Sequence, residues 1–372
     1  MPVKFLIPDG DGDGAPGHAV GRGPSLLRDL NCRAILQLLQ AHNPCSCSDL
    51  VRYSGLSAPT VSSSVARLTK FGLVKRLGKG SSSGGRPPRL LAFNEKCGYV
   101  AGVDIRATEI RFAIADMAGT VLGEHAQGIG TQSLPMTVVE KTAAGLAALR
   151  ERLKIPAKRL FAIGVAAPGI TDVDAGVVVS VPLMMEWDNV PLGRLLRQAT
   201  GIPTVVENDV NLAALAEQWR GIAAGEQNFV FVSLANGVGA GLIINGQLHH
   251  GPDWTAGEIG YLIVPGAKTL PIRKTRMGTL EGAIGTAGIE HDWRQLMKSR
   301  GGAGPRQPLR AAEILECASK GEPIARQVVQ KIAHILAVAC SNLGLILNCS
   351  LIVLGGEIGA HPAMLQATAA LL

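Results

Sequence analysis

Small polar and basic side chains crowd one short stretch of the sequence. Thr60, Ser62, Ser63, Ser64 and Arg67 all fall within "SAPTVSSSVARL". Side chains of this kind on one helix can enter a DNA major groove. Lys75, Arg76, Lys79, Arg86 and Arg89 follow, and can neutralise phosphates. Eight basic residues and no acidic one lie between Leu50 and Asn94. Residues 1–97 hold 13 Lys/Arg against 6 Asp/Glu, a net +7, whereas residues 98–372 hold 23 of each sign. The formal excess charge therefore sits at one end of the chain. That is the electrostatic footprint of a nucleic-acid-binding domain on a neutral body. A solvated basic face has the same charge, so the elements that carry these residues must decide.

"SLLRDLNCRAILQLLQAH" places Leu26, Leu27, Leu30, Ala34, Ile35, Leu38 and Leu39 at helical spacing. "CSDLVRYSGLSAPTVSSSVARLTKFGLV" then predicts two short helices with Gly55 at the turn. Ser48 is expected to cap the first and Ser57 the second, with Pro59 in the second helix's opening turn. Val61, Val65 and Leu68 face inward, which leaves Thr60, Ser62, Ser63, Ser64 and Arg67 to face outward. This is helix-turn-helix spacing. Apolar stretches at 73–77 and 90–93 flank a Gly/Ser-rich basic loop and predict a β-hairpin wing, where "GGRPPR" could set Arg86 in a narrow minor groove. A three-helix unit for protein contacts, or a plain linker, would not explain helix pair, wing and charge together.

The whole chain of 372 residues is 47% hydrophobic and 17% charged, enough apolar material for two or three domains. No apolar run reaches the ~18 residues of a membrane helix. The N-terminus lacks a signal peptide's apolar region, and seven scattered cysteines fit reduced thiols. A cytoplasmic protein with no membrane partner is expected. "DGDGDG" sets Asp9, Asp11 and Asp13 at alternate positions of a calcium loop, but the twelfth position, where a bidentate Glu is needed, is Val20. Residues 1–24 read as a flexible tail, 25–95 as the winged helix and 96–372 as a separate domain. Cys45 and Cys47 alone are too little for a metal site. From Tyr99 onward the texture is α/β. "YVAGVDI", "IRFAIAD" and "TVLGEHA" read as three strands, and "NFVFVSLANGVGAGLIINGQL" as a related strand pair. The layout predicts an internally duplicated α/β fold with a cleft.

From about Leu26 to the end, the chain resembles the ROK family of repressors, open reading frames and kinases. "GVAAPGI", "WDNVPLGRLL", "VVENDVNLAALAEQ", "NGVGAGLIINGQL", "AGEIGY" and "IVLGGEIG" stand in the family's usual order, behind a winged helix like that of ROK repressors. The resemblance implies an actin-like, sugar-kinase fold. It carries sugar contacts onto Gly169, Asn208, Asp209, Glu258 and Glu281, with Tyr261 at the position of a family histidine. Asp209 would be the general base if the protein were a kinase. It also implies a further helical segment beyond the present end, so a truncated C-terminus is expected.

Three departures from the family matter. The histidine of the family's zinc site is Tyr261, and its three thiols fall on Ile272, Lys274 and Thr279, so no zinc is expected. The phosphate turn, roughly Asp-Ile-Gly-Gly-Thr in actin-like kinases, keeps Asp104 and Thr108 but has Arg106 and Ala107 in place of the glycines. Arginine and alanine deny phosphates the close approach to backbone amides that glycine allows, so ATP is not expected as a cofactor. Arg106 could alternatively meet an anionic sugar, although a solvent-facing or ion-paired arginine is the plainer reading. The expected function is a repressor that binds operator DNA as a homodimer or homotetramer and senses a carbohydrate or sugar phosphate through domain closure. The alternatives are an ATP-dependent sugar kinase of the hexokinase or glucokinase type, and a DNA-binding protein whose ROK domain only oligomerises.

Overall fold

The computed structural model describes residues 24–79, 89–130, 133–181, 184, 186–265, 278–299 and 309–372. Residues 1–23 of the expected tail, with the Asp9, Asp11 and Asp13 pattern, lie outside them. The first domain runs α1 (Pro24–Ala41), β1 (Cys45–Ser46), α2 (Cys47–Ser54), α3 (Ala58–Lys70), β2 (Val74–Lys79) and β3 (Arg89–Phe93). The strands form a sheet in the order β1-β3-β2. Ile35, Leu39, Leu50, Val61, Val65 and Leu68 fill its core, each buried side chain contributing about 1.5–3 kcal/mol relative to exposure. Leu27 and Leu30, at the start of α1, remain exposed.

Two sequence expectations need correction here. α2 is capped by Ser46, not Ser48, which lies inside the helix. The Ser46 hydroxyl accepts from Asp49 N at 3.2 Å, and Asp49 Oδ2 accepts from Ser46 N at 3.0 Å. This is a reciprocal capping box, and it starts the helix earlier. Ser64 is buried (6% exposed). It sits three residues after Val61 and four before Leu68, on the inward stripe, where a hydroxymethyl group is small enough to fit.

The second domain holds two lobes. In the first, β4 (Tyr99–Ile105), β5 (Glu109–Asp116) and β6 (Val121–Gly128) form an antiparallel meander; β7 (Leu160–Ala167) runs parallel to β4 and β10 (Thr204–Asn208) parallel to β7. A two-stranded flap joins β8 (Ile170–Asp172) to β9 (Val177–Ser180). The helices α4 (Pro135–Arg152) and α5 (Leu192–Thr200) pack against Phe112, Ile163, Val165 and Val206 of this sheet. In the second lobe β11 (Phe229–Leu234), β12 (Val238–Ile244) and β13 (Gln247–Leu248) form another meander, and β14 (Leu351–Gly355) runs parallel to β11. A meander with a parallel strand beside its first member thus occurs twice, as the duplication predicts.

Between the sheets, α6 (Asp209–Arg220) continues directly from β10 and packs over β12. The second lobe is completed by α7 (Thr279–Ile284), α8 (Thr286–Ser299), α9 (Ala311–Ser319), α10 (Pro323–Leu347), α11 (Gly356–Gly359) and α12 (Pro362–Ala369). α10 has the length and mean hydropathy to cross a membrane, although Arg326 and Lys331 interrupt its apolar run. Ile324, Val328, Ile332 and Leu336 on it are instead buried in the core with Val230 and Val232.

Candidate functional site

The first candidate surface is the outer side of the winged helix. Ser57 caps α3 and its hydroxyl lies 2.8 Å from Thr60 Oγ1. Ser62 and Ser63 are exposed and Thr60 is half-buried, while Ser64 is withdrawn into the core. Arg67 is half-exposed; its Nη2 donates to Asp29 Oδ1 of α1 at 2.8 Å, and its guanidinium stands over Phe71. DNA must therefore compete with Asp29 for this arginine. Lys70, exposed in the last turn of α3, is a cation that sequence reasoning missed. Lys75, Arg76 and Arg89 are exposed on the wing; the Lys79 side chain and Arg86 lie outside the described residues. Arg76 pairs with Leu91 across the ladder, and a register shift separates that pair from the one Arg89 makes with Lys79. Arg76→Ala and Arg89→Ala are each expected to weaken binding equally across DNA sequences, and to lessen the slope of log K against log salt by about 1. A salt titration of DNA binding checks this.

The second candidate surface is a cleft at the β10–α6 junction. It is lined by Gly169, Asn208, Val210, Asn211, Gly239, Ala240, Trp254, Ala256, Gly257 and Glu258, and encloses about 290 Å³ of empty space, part of it open to solvent. Asn208 is the N-cap of α6: its Oδ1 accepts from Val210 N at 2.9 Å and Asn211 N at 3.0 Å, and its Nδ2 donates to Gly169 O at 2.9 Å. One side chain therefore fixes the helix start and tethers the loop opposite. Gly169 has φ 78°, and a Cβ there would come within 2.1 Å of Ser180 O, so only glycine fits.

Behind this cap lies a buried network that sequence reasoning missed. Glu207 Oε1 accepts from Asn208 N at 2.9 Å and from Asn211 Nδ2 at 3.0 Å, while Glu207 Oε2 lies 2.8 Å from His250 Nε2. Trp254 meets the His250 ring edge-on, with centroids 5.1 Å apart. Glu207 is the penultimate residue of β10 in the first lobe and His250 follows β13 of the second, so the pair ties the lobes together at the cleft.

Acidic groups concentrate around the opening. Burial, with repulsion from Asp104 and despite the Val210 N–H and Arg106, pushes the Asp209 pKa up to about 6. Its surface is open to solvent, yet protein crowds it on most sides. The crowding sets the direction of the shift, because the field of a carboxylate reaches beyond its contact surface. Burial and then repulsion from Glu281 and Asp209 raise Glu258, and burial raises Glu281 against a hydrogen bond from Val238 N at 3.2 Å. Tyr261 is raised by burial and by both glutamates. Gly169, Asn208 and Glu258 line the pocket; Asp209, Glu281 and Tyr261 do not, but are electrostatically coupled to Glu258 beside it.

The turn after β4 is occupied by charge. Arg106 Nε donates to Asp104 Oδ2 at 2.7 Å, and its Nη1 lies 3.8 Å from Glu109 Oε1. Arg106 N donates to Glu109 O at 2.9 Å, closing the turn. Arg106, Ala107 and Thr108 are all exposed. The arginine is thus ion-paired on the turn, as the plainer of its two readings has it.

A family profile described as "ROK family" matches residues 100–372, and one described as "Winged helix-turn-helix DNA-binding" matches residues 28–75. The chain belongs to the ROK family. It is 26% identical to the xylose repressor of Caldicellulosiruptor bescii over 347 residues, covering 90% of this chain and 84% of that one. It is 31% identical to a glucokinase of Halalkalibacterium halodurans over 272 residues, 70% of this chain and 80% of that enzyme. A crystallised ROK family transcriptional regulator, homologous to the E. coli MLC protein, superposes with TM-score 0.80 at 22% identity, covering 93% of this chain and 87% of that one, and so shares the fold.

The zinc site that ROK relatives imply can be tested on the residues present. Tyr261 is a phenol held more strongly protonated than usual, and Thr279 is a buried hydroxyl. Neither suits an ion that prefers imidazole and thiolate. Ile272 and Lys274 lie outside the described residues. Among the described residues no group of three or more His, Cys, Asp or Glu could hold a metal.

Proposed function

We propose that this protein is a sugar-responsive transcriptional repressor whose ROK cleft binds a neutral carbohydrate while the winged helix holds operator DNA. The observation that carries the reading is the junction, in one chain, of an exposed polar recognition helix with a cleft whose phosphate turn is filled by Arg106 on Asp104. Similarity to a xylose repressor over 90% of the chain, a span that includes both domains, supports it. A neutral ligand fits the charge of the cleft. Asp209 and Glu281 already repel Glu258, and a phosphate would add up to two further negative charges beside them.

In this reading Asp209 and Glu258 accept sugar hydroxyls, and the remaining Asn208 Nδ2–H donates to one. Tyr261 offers a phenol where relatives offer imidazole, and Glu281 shapes the wall through Val238. The site uses neither zinc nor a nucleotide, and transfers no phosphoryl group. The protein works in the cytoplasm as a homodimer or homotetramer, since paired half-sites need paired readers. A sugar kinase is the second reading. It is favoured by Asp209, whose pKa near 6 suits a general base, and by the glucokinase similarity.

Thermal unfolding against D-xylose, D-glucose, N-acetylglucosamine, their phosphates and ATP–Mg separates the readings. A neutral sugar is expected to raise the midpoint by mass action, with no shift from the phosphates or ATP–Mg. A shift with ATP–Mg, accompanied by sugar-dependent ADP release, would overturn the non-enzymatic reading.

A further inference from the structure

Trp254 has backbone φ 61°. Left-handed backbone is uncommon for any residue with a Cβ and an outlier for a bulky one, and such conformations persist where the surroundings over-determine them, often at binding sites. Here the surroundings are identifiable. The indole meets His250 edge-on at an interplanar angle of 66°, His250 is held by the buried carboxylate of Glu207, and Glu207 also receives Asn208 N and Asn211 Nδ2. The residue that caps the ligand-side helix and the residue that carries the indole are therefore set by one hydrogen-bonded unit.

The pocket gives this ring a distinct place. Its other lining residues are glycines, alanines, Val210, Asn208, Asn211 and Glu258, so Trp254 supplies the one aromatic surface among the described lining residues. A pyranose has hydroxyls at its edge and C–H groups on its faces. The carboxylates and amides address the edge; only a flat apolar surface addresses a face.

We propose that Trp254 is the stacking wall of this cleft, laid against the C–H face of a neutral pyranose whose hydroxyls are taken by Asn208, Asp209 and Glu258. The proposal rests on the sugar-binding reading above and adds to it the residue that selects for an intact ring. It also fixes a sign that a space-filling tryptophan would not have. Glycine removes the backbone strain at this position, so Trp254→Gly keeps or raises the thermal midpoint of the ligand-free protein while lowering sugar affinity at least tenfold. Trp254→Phe keeps a ring and binds within about threefold of wild type, but loses the sugar-induced change in tryptophan emission.

The test measures midpoints and sugar affinities of wild type, Trp254→Gly and Trp254→Phe with D-xylose, D-glucose and N-acetylglucosamine, following emission as well. Wild type that binds one of these sugars, with a stable Trp254→Gly that does not, supports the proposal. Wild type and Trp254→Gly binding equally would overturn the stacking role and leave the sugar reading standing. A glycine variant with a depressed midpoint and undiminished affinity would make Trp254 a core filler. Wild type that binds none of the sugars would overturn both readings.

Discussion

Alanine at Glu207 is expected to lower the unfolding free energy by roughly 3–5 kcal/mol, the cost of removing one partner from a buried charged network. Glu207 is 6% exposed and its two oxygens receive Asn208 N, Asn211 Nδ2 and the His250 ring. Deleting the carboxylate strands all three at once, and water reaches few of them. The exposed pair Arg52–Asp49, at 3.0 Å with the arginine side chain 70% accessible, has similar geometry and serves as the control. Arg52→Ala should cost under about 1 kcal/mol, because solvent screens it and the freed groups hydrate. Urea denaturation of both variants measures the contrast. Equal losses would mean that the Glu207 network contributes no more than a surface pair. Glu207→Gln, which keeps an acceptor for the amides, should fall between wild type and alanine.

Asp209→Asn should weaken sugar binding by about 10- to 150-fold, the equivalent of the 1.5–3 kcal/mol that a hydrogen bond to a charged group contributes. Its effect on stability should have the opposite sign. Asp209 titrates near 6 in the folded protein against an ordinary value of 3.8, so the folded state takes up a proton more readily than the unfolded chain. Ionised Asp209 therefore destabilises the fold above pH 6. That penalty shrinks as pH falls between 6 and 4, and vanishes once both states are protonated. The asparagine variant should be more stable than wild type at pH 8, with the gap closing by about pH 4. Thermal midpoints across that range, with and without sugar, test both halves. A stability gain that grows toward acid pH would contradict the origin assigned to the shift. Binding-site carboxylates held at such a cost are a common form of stability traded for function.

The winged helix was legible because its signals are local. Gly55, Ser57, Pro59 and the spacing of Val61, Val65 and Leu68 all lie within one short stretch, and the structure places each as read. Ser64 was misread because polarity and helical phase disagreed there, and phase prevailed. Ser48 was misread although Ser46 and Asp49 stand at capping-box spacing. Asn208 and Glu258 were legible through the family motifs that contain them. The Glu207–His250 pair was not, because 43 residues separate its members and no periodicity links a strand end in one lobe to a loop in the other. The pairing of Arg67 with Asp29 was hidden likewise, across 38 residues. Arg106 shows the middle case. The missing glycines were plain in the sequence, whereas the ion pair with Asp104 two residues away needed the geometry of the turn.

One helix touches both ends of the molecule's task. α6 begins at the Asn208 cap beside the cleft; at its other end Arg220 donates to Ala118 O, and Trp219 lies against Gly119. That turn reaches further, since Met117 N donates to Glu95 O at 3.0 Å, just beyond the wing strand β3. Twelve residues at 1.5 Å each make a rod of about 18 Å, and a tilt of about 10° sweeps its far end by about 3 Å. Pinned by its cap at the cleft and bearing on the neck of the DNA-reading head, α6 has the shape of a lever. A tilt of about 10° at the cleft would arrive at the neck of the head as a shift of about 3 Å, one hydrogen-bond length.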